Sequence, residues 1–227
     1  MSSVEQLFAQ NPVFAALPPA KRECLIRDAS VRSYRKGEVI THLGDDWPYL
    51  FIIAEGSVSA LKKSLEGRSL VVATFVRGDI FWGLAFFHQD MPMPVALEAV
   101  EPTTIHLWSG ERIHPLFKEE GRMSWELARL MILRMARASQ ILEEMAFQPV
   151  ASRLAKLIME TSQKGRQDAI SRSLTLDEMA ARIGSTREVV CRFLHRFADD
   201  GIIDITRTEY RITDLERLAG ISQSSKG

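Results

Sequence analysis

Cysteine is nearly missing from these 227 residues: Cys24 and Cys191 stand alone and far apart. Two such residues cannot form a disulfide framework, which fits a reducing compartment. Nor can one chain draw from them the four thiolates of an iron–sulfur cluster, so none is expected. Long apolar runs are missing too. None reaches the roughly 18–20 residues that span a bilayer, so no membrane partner is expected. The opening MSSVEQLFAQNPVF lacks the basic stretch and apolar core of a secretory signal, and a cytoplasmic location is expected. Dense groups of acids, histidines and nucleophiles are absent as well. His88 and Asp90 lie in the mainly apolar run Phe81–Pro94, and such a pair is too common to support catalysis. No catalytic residue, no metal site and no enzyme are therefore expected.

Net charge is the last absence, with 29 basic and 29 acidic residues. The balance conceals a local excess. Between Val150 and Arg196 nine Lys/Arg face five Asp/Glu, a local charge of +4. A solvated helix face would also read this way, but the same footprint suits a phosphate backbone.

The chain divides by pattern. Residues 1–32 read as short helices, with Pro18-Pro19 opening Ala20–Ser30. Short β-rich runs follow, at Glu38–His42, Tyr49–Ala54, Ser57–Lys62, Ser69–Val76, Ala96–Ala99 and Thr103–Leu107. Gly56, Gly67 and Gly78 punctuate them at regular spacing, as in an antiparallel sandwich or barrel. From residue 111 the period becomes helical. Leu127, Met131, Arg134, Ala138, Ile141 and Met145 follow steps of four and three, the seam of a two-helix dimer. A mid-seam Arg134 argues against a closed intrachain core there. Pro149 ends this helix and suits the first turn of the next.

Leu174–Leu215 carries the most specific signal. Thr175-Leu176-Asp177-Glu178 is a capping box that starts a helix over Leu176–Ile183. Gly184 closes it. Ser185-Thr186-Arg187-Glu188 reads as a second capping box, opening a helix over Thr186–Ala198. Val190, Phe193, Leu194 and Phe197 form its apolar face. Arg187, Glu188, Cys191 and Arg192 fall on the other side. Gly201, Ile202–Ile205 and Tyr210–Thr213 complete a small hairpin. This is the outline of a winged helix-turn-helix, which lays its second helix in the DNA major groove. Arginine can bond guanine O6 and N7, and glutamate can accept from a cytosine amino group. Ser185, Thr186 and Arg207 are candidate phosphate contacts.

With Gly184-Ser185-Thr186-Arg187-Glu188 and Arg192-x-Leu194 stand Arg35-Lys36-Gly37-Glu38, Ile53-x-x-Gly56-x-Val58 and Gly78-Asp79. From about Phe14 to Leu218 the chain resembles the cAMP-receptor and fumarate-nitrate-regulator (Crp–Fnr) family of bacterial transcription factors. The resemblance implies an α+β protein. An N-terminal β-roll, a cyclic-nucleotide-binding-like jelly roll, would span 1–110 as the sensor. A dimerisation helix and hinge would span 111–148, and a winged helix-turn-helix 149–227. It further implies a homodimer on a pseudo-palindromic double-stranded operator that recruits or blocks RNA polymerase, as activator or repressor. Arg187, Glu188 and Arg192 sit where family members read bases.

The sensory end departs from the family. Cyclic-nucleotide binders carry a Gly-Glu pair soon after Gly-Asp, then an Arg-Ser or Arg-Thr pair for the phosphate. Here Gly83 takes the glutamate's place and Met93-Pro94 that of the second pair. No Lys or Arg lies between Arg77 and Arg112, so cyclic AMP or GMP is not expected. Three inputs stay open. Haem could use His42, His88, His106 or His114. A small apolar effector could enter a pocket of Phe81, Trp82, Phe86, Phe87, His88, Met93, Ala138 and Ser139. The protein could instead be effector-free or respond to oxidation, with Cys24 and Cys191 as the candidate thiols.

Overall fold

The computed structural model describes residues 3–66, 68–165, 169–171, 174–206 and 209–224. Contacts divide the chain into two compact units, Met1–Lys62 with Val72–Arg137, and Lys63–Val71 with Ala138–Gly227.

The first unit opens with three short helices, α1 (Ser3–Gln10), α2 (Pro12–Ala15) and α3 (Pro19–Arg27). Asn11 links the first two. Its side-chain oxygen accepts from the Val13 N–H at 3.0 Å, and its amide donates to the Gly78 carbonyl at 2.9 Å. Eight strands follow: β1 (Ser30–Tyr34), β2 (Val39–Thr41), β3 (Tyr49–Glu55), β4 (Ser57–Lys63), β5 (Ser69–Val76), β6 (Ile80–Trp82), β7 (Ala96–Ala99) and β8 (Thr103–Ser109). They form two four-stranded sheets, ordered β1-β8-β3-β6 and β2-β7-β4-β5. The expected runs all appear within a residue or two of their bounds. β1 and β6 are additions, each too short or too polar to stand out. Gly56 and Gly78 do sit in turns; Gly67 lies outside the described residues.

Residues alternate along β3. Phe51 and Ile53 enter one core with Val58, Phe75, Met93, Leu97, Ile105 and Leu107. Leu50, Ile52 and Ala54 enter another, with Phe8, Phe14, Phe86, Trp108 and Leu127. Successive side chains on a strand point to opposite faces, and both faces of β3 are covered. Its sequence is therefore a continuous apolar run rather than an alternation.

His106 on β8 belongs to the second of these layers, edge-on to Phe8 at 6.4 Å. Its Nδ1 has no hydrogen-bond partner among the described residues. Burial lowers its pKa from the usual 6.5, so the folded unit holds it neutral while the unfolded chain takes up a proton. The stability this provides is complete above about pH 6.5 and is lost as pH falls below it. Melting should shift downward between about pH 7 and pH 5.5, and His106→Leu should remove part of that shift. Identical pH profiles for the two proteins would exclude the effect.

α4 (Gly110–Glu119) and α5 (Gly121–Phe147) follow the roll. Here the expected seam needs correction. Leu127 is buried in the helix-facing core. Arg134 folds onto its own roll, where it donates to the Ile80 carbonyl and stacks over Trp82 at 4.4 Å and Phe75 at 4.9 Å. Aromatic faces attract a guanidinium, which is why an arginine can occupy an intrachain position. Ile141 and Met145 are half-buried, while Met131 and Ala138 are exposed. Four large exposed apolar residues lie on another stripe. Trp125, Ile132, Met135 and Leu142 are 61–71 % exposed. With Ala128 and Ser139 between them they too follow steps of three and four.

In the second unit, α6 (Val150–Gly165), α7 (Leu176–Ile183), α8 (Arg187–Asp199) and α9 (Leu215–Ser222) surround a core of Leu154, Ile158, Ile183, Val190, Leu194, Phe197, Ile203 and Leu218. β9 (Ala169–Ser171), β10 (Ile203–Ile205) and β11 (Glu209–Ile212) form an antiparallel sheet in the order β10-β11-β9. The expected wing was a hairpin, and β9 adds a third strand to it. Among the described residues no helix is long and apolar enough to cross a membrane.

Candidate functional site

The helix-turn-helix is built by its caps. The Thr175 hydroxyl accepts from the Glu178 N–H at 3.2 Å, and the Glu178 carboxylate accepts from the Thr175 N–H at 2.6 Å. This is the full capping box read from the sequence. Gly184, at φ 62° and ψ 49°, ends α7 in the left-handed region and donates to the Ala180 carbonyl. A Cβ there would come within 2.7 Å of Met145 Sδ. The second box does not form. The Ser185 N–H is used to close α7, donating to the Ala180 carbonyl at 2.9 Å. Thr186 caps α8 instead, accepting from the Val189 N–H at 3.4 Å.

α8 buries Val190, Leu194 and Phe197. Arg187, Glu188, Arg192, His195 and Arg196 are exposed, and Cys191 and Phe193 are half-buried. Residues 187, 188, 191, 192 and 195 share one face at helical spacing. Ser185 and Thr186 are half-buried at the N-terminal end of that face. Arg207 lies outside the described residues.

The charged groups near the start of α8 are oriented locally. The Glu188 carboxyl is held below the usual carboxylate range by its own backbone N–H, then by the Thr186 hydroxyl and the Arg187 charge. Arg187 reaches Asp177 Oδ2 at 3.4 Å, with both side chains largely exposed. Asp177 was read from the sequence only as part of a cap. Its place in the first turn of α7, one cap away from the second helix, was the available signal. Arg192 lies over the Phe193 ring at 5.6 Å. A face of exposed guanidiniums at the N-terminal half of a helix can bond phosphates and base edges.

Within the first unit, the side chains proposed for an effector pocket divide between its two cores and its surface. Phe86 and Met93 are fully buried and belong to the two different cores of the roll. Phe81 packs against Phe51 and meets Phe75 edge-on, and Trp82 meets Phe87 edge-on. His88 is exposed and its Nδ1 lies 2.7 Å from the Gln89 carbonyl. Ala138 and Ser139 are exposed and fall in the second unit. These aromatic residues are core and rim, because the apolar run 81–93 contributes to both layers.

Two open clefts of the first unit lie away from these residues. One cleft of about 640 Å³ is bounded by α1–α2, the turn Arg77–Ile80 and α5. Another, of about 340 Å³, lies between α3 and α4 beside Cys24. No histidine lines either. His106 and His114 are packed against Phe8 and Phe86, and His42 and His88 are exposed. Neither cleft therefore offers haem a histidine ligand. Among the described residues no three His, Cys, Asp or Glu side chains gather to hold a metal.

Gly83 and Met93, the two positions singled out in the sequence, are both packing positions. Gly83 follows β6 in ordinary extended backbone, at φ −75° and ψ 156°. A Cβ there would lie 1.8 Å from the Trp47 carbonyl oxygen. Met93 is walled into the sandwich core.

Comparison with known proteins agrees with this geometry. Residues 31–120 match the family model of the cyclic nucleotide-binding domain, and residues 152–221 that of the Crp-like helix-turn-helix domain. The CRP-like cAMP-activated global transcriptional regulator of Mycobacterium tuberculosis is 25% identical over 223 residues, covering 95% of this chain and 98% of its own. The cyclic AMP receptor protein of Thermus thermophilus is 25% identical over 193 residues, 85% of this chain and 88% of its own. A crp/fnr-family transcriptional regulator from Eubacterium rectale superposes with a TM-score of 0.78 at 21% identity, covering 94% and 98% of the two chains. Roll, long helix and winged helix-turn-helix thus occur in the order these proteins share, and the chain belongs to the Crp–Fnr family of transcription regulators.

Proposed function

We propose that this protein acts as a cytoplasmic homodimer that binds a pseudo-palindromic operator, with α8 of each subunit in the major groove. The observation that carries this reading is the capped, exposed face of α8. Arg187, Glu188 and Arg192 would meet base edges, Cys191 would lie between them, and Ser185 and Thr186 would meet phosphates. The stripe Trp125, Ile132, Met135 and Leu142 supplies a surface for a second α5. Buried large apolar side chains contribute about 1.5–3 kcal/mol each. On such a dimer the two α8 helices would reach half-sites about one helical turn apart. Contact with RNA polymerase, in activation or repression, follows from the same reading.

The roll is proposed to have given up cyclic nucleotides. Gly83 leaves no room for a side chain, and Met93 replaces a cation with a buried thioether. Titration with cyclic AMP in a calorimeter should give no saturable heat.

Gel shifts against a duplex selected from a random pool test the DNA reading. Binding should weaken steeply between about 50 and 200 mM salt, as phosphate contacts require. Combining Ile132→Glu with Met135→Glu should give a monomer in sedimentation and cost at least 100-fold in operator affinity, since only one half-site would be held. A dimer that survives both charges would place the interface elsewhere. Selection that yields no preferred sequence would refute the regulator reading itself.

A further inference from the structure

The cleft of about 640 Å³ in the first unit has a charge pattern that the DNA-binding reading does not use. Arg77 enters it from the β5–β6 turn, and Arg122, Arg129 and Arg134 from α5. Asp79 and Glu126 are the acids in its lining. Both have other tasks. Asp79 accepts from the Val76 N–H at 2.8 Å, holding the turn, and Glu126 pairs with Arg129 at 3.1 Å. Among the described residues Arg77, Arg122 and Arg134 make no ion pair.

Arg134 is the informative member. Its guanidinium is largely buried, which draws its pKa down to about 10 despite the Asp79 charge. One donor goes to the Ile80 carbonyl and its faces rest on Trp82 and Phe75. Asp79 offsets this charge without pairing with it directly, and a buried cation that lacks a direct carboxylate partner is costly. It persists where something else supplies the negative charge. Two further unpaired arginines open on the same space, and guanidinium forks match phosphate geometry. The volume falls in the range of small-molecule sites. Leu7, Leu130 and Leu133 add an apolar wall.

We propose that this cleft binds a small organic phosphate, with the phosphate among Arg77, Arg122 and Arg134 and an apolar group against Leu7, Leu130 and Leu133. The site lies wholly within the first unit and does not depend on the DNA-binding reading.

Phenyl phosphate is a suitable probe because it carries both parts. Calorimetry on the full chain should show one saturable site per chain. Inorganic phosphate, lacking the ring, should bind more weakly, and phenol should not compete. Arg77→Ala combined with Arg122→Ala should weaken phenyl phosphate at least tenfold without changing the melting temperature by more than a few degrees. Leu133→Ala should weaken phenyl phosphate but leave inorganic phosphate unchanged, which a merely charged surface would not do. Equal binding by wild type and the double arginine variant, or heats that never saturate, would overturn the proposal.

Discussion

Gly83→Ala is expected to lower the melting temperature by roughly 6–12 °C, corresponding to about 3 kcal/mol in a chain of this size. The backbone at Gly83 is extended and would accept any residue, so conformational freedom is not the issue. The obstacle is the Trp47 carbonyl oxygen, 1.8 Å from where the new methyl would stand, with the carbonyl carbon at 2.9 Å. Both are main-chain atoms and cannot rotate away. Gly83 is tied from the other side as well, since its N–H donates to the Tyr49 carbonyl at 3.0 Å. Making room therefore means shifting β6 against β3, where Leu50, Phe51 and Ile52 pair with Trp82, Phe81 and Ile80. Gly121→Ala is the control. Nothing lies within 4 Å of its added carbon, and its φ is not in the left-handed region, so it should be neutral or slightly stabilising. Thermal melts of the three proteins decide the matter. An unchanged midpoint for Gly83→Ala would mean that the segment gives way easily. Gly83→Glu, which installs the carboxylate of cyclic-nucleotide binders, should be worse still and should not create a cyclic AMP site.

Arg187→Ala should have the largest effect on operator binding. A bidentate arginine–guanine contact is worth about 1–3 kcal/mol. A homodimer makes it twice, so the loss per complex is about 2–6 kcal/mol, from roughly 30-fold to more than 10⁴-fold in Kd. Arg187 suits the role because little holds it back. Its one described ion pair, to Asp177, is long and exposed, and such pairs contribute at most about 1 kcal/mol. Selectivity at one base position per half-site should relax together with affinity. Arg196→Ala is the comparison, at an exposed arginine in the last turn of the same helix. It should change binding to all sequences by a similar, small factor. Competition gel shifts at fixed salt separate the two outcomes, and a uniform loss for Arg187→Ala would make it a phosphate contact only.

The strands and the first capping box were legible because they rest on local rules: apolar runs between turns, and a hydroxyl three residues before a carboxylate. The second box failed because two hydroxyl residues are adjacent. Ser185 is consumed in closing α7, leaving Thr186 to cap α8, and sequence spacing alone does not rank them. The seam on α5 divides for a related reason. The helix carries two apolar stripes, one with Leu127 and Leu130 against the roll and one with Trp125, Ile132 and Met135 outside. Arg134 belongs to the inner stripe because three flat surfaces (two rings and a peptide) receive it. The effector-pocket residues were hard to place from sequence because Phe81–Met93 crosses both cores. The arginine cleft was out of reach altogether, since its walls come from residues near 10, 78 and 130.

β3 gives neighbouring residues to two different layers of the first unit. The sandwich and the covering helices therefore have no independent strand on which to come apart. Loosening the helices exposes Leu50 and Ile52, and loosening the sandwich exposes Phe51 and Ile53, on the same four consecutive residues. Peeling and melting become one event.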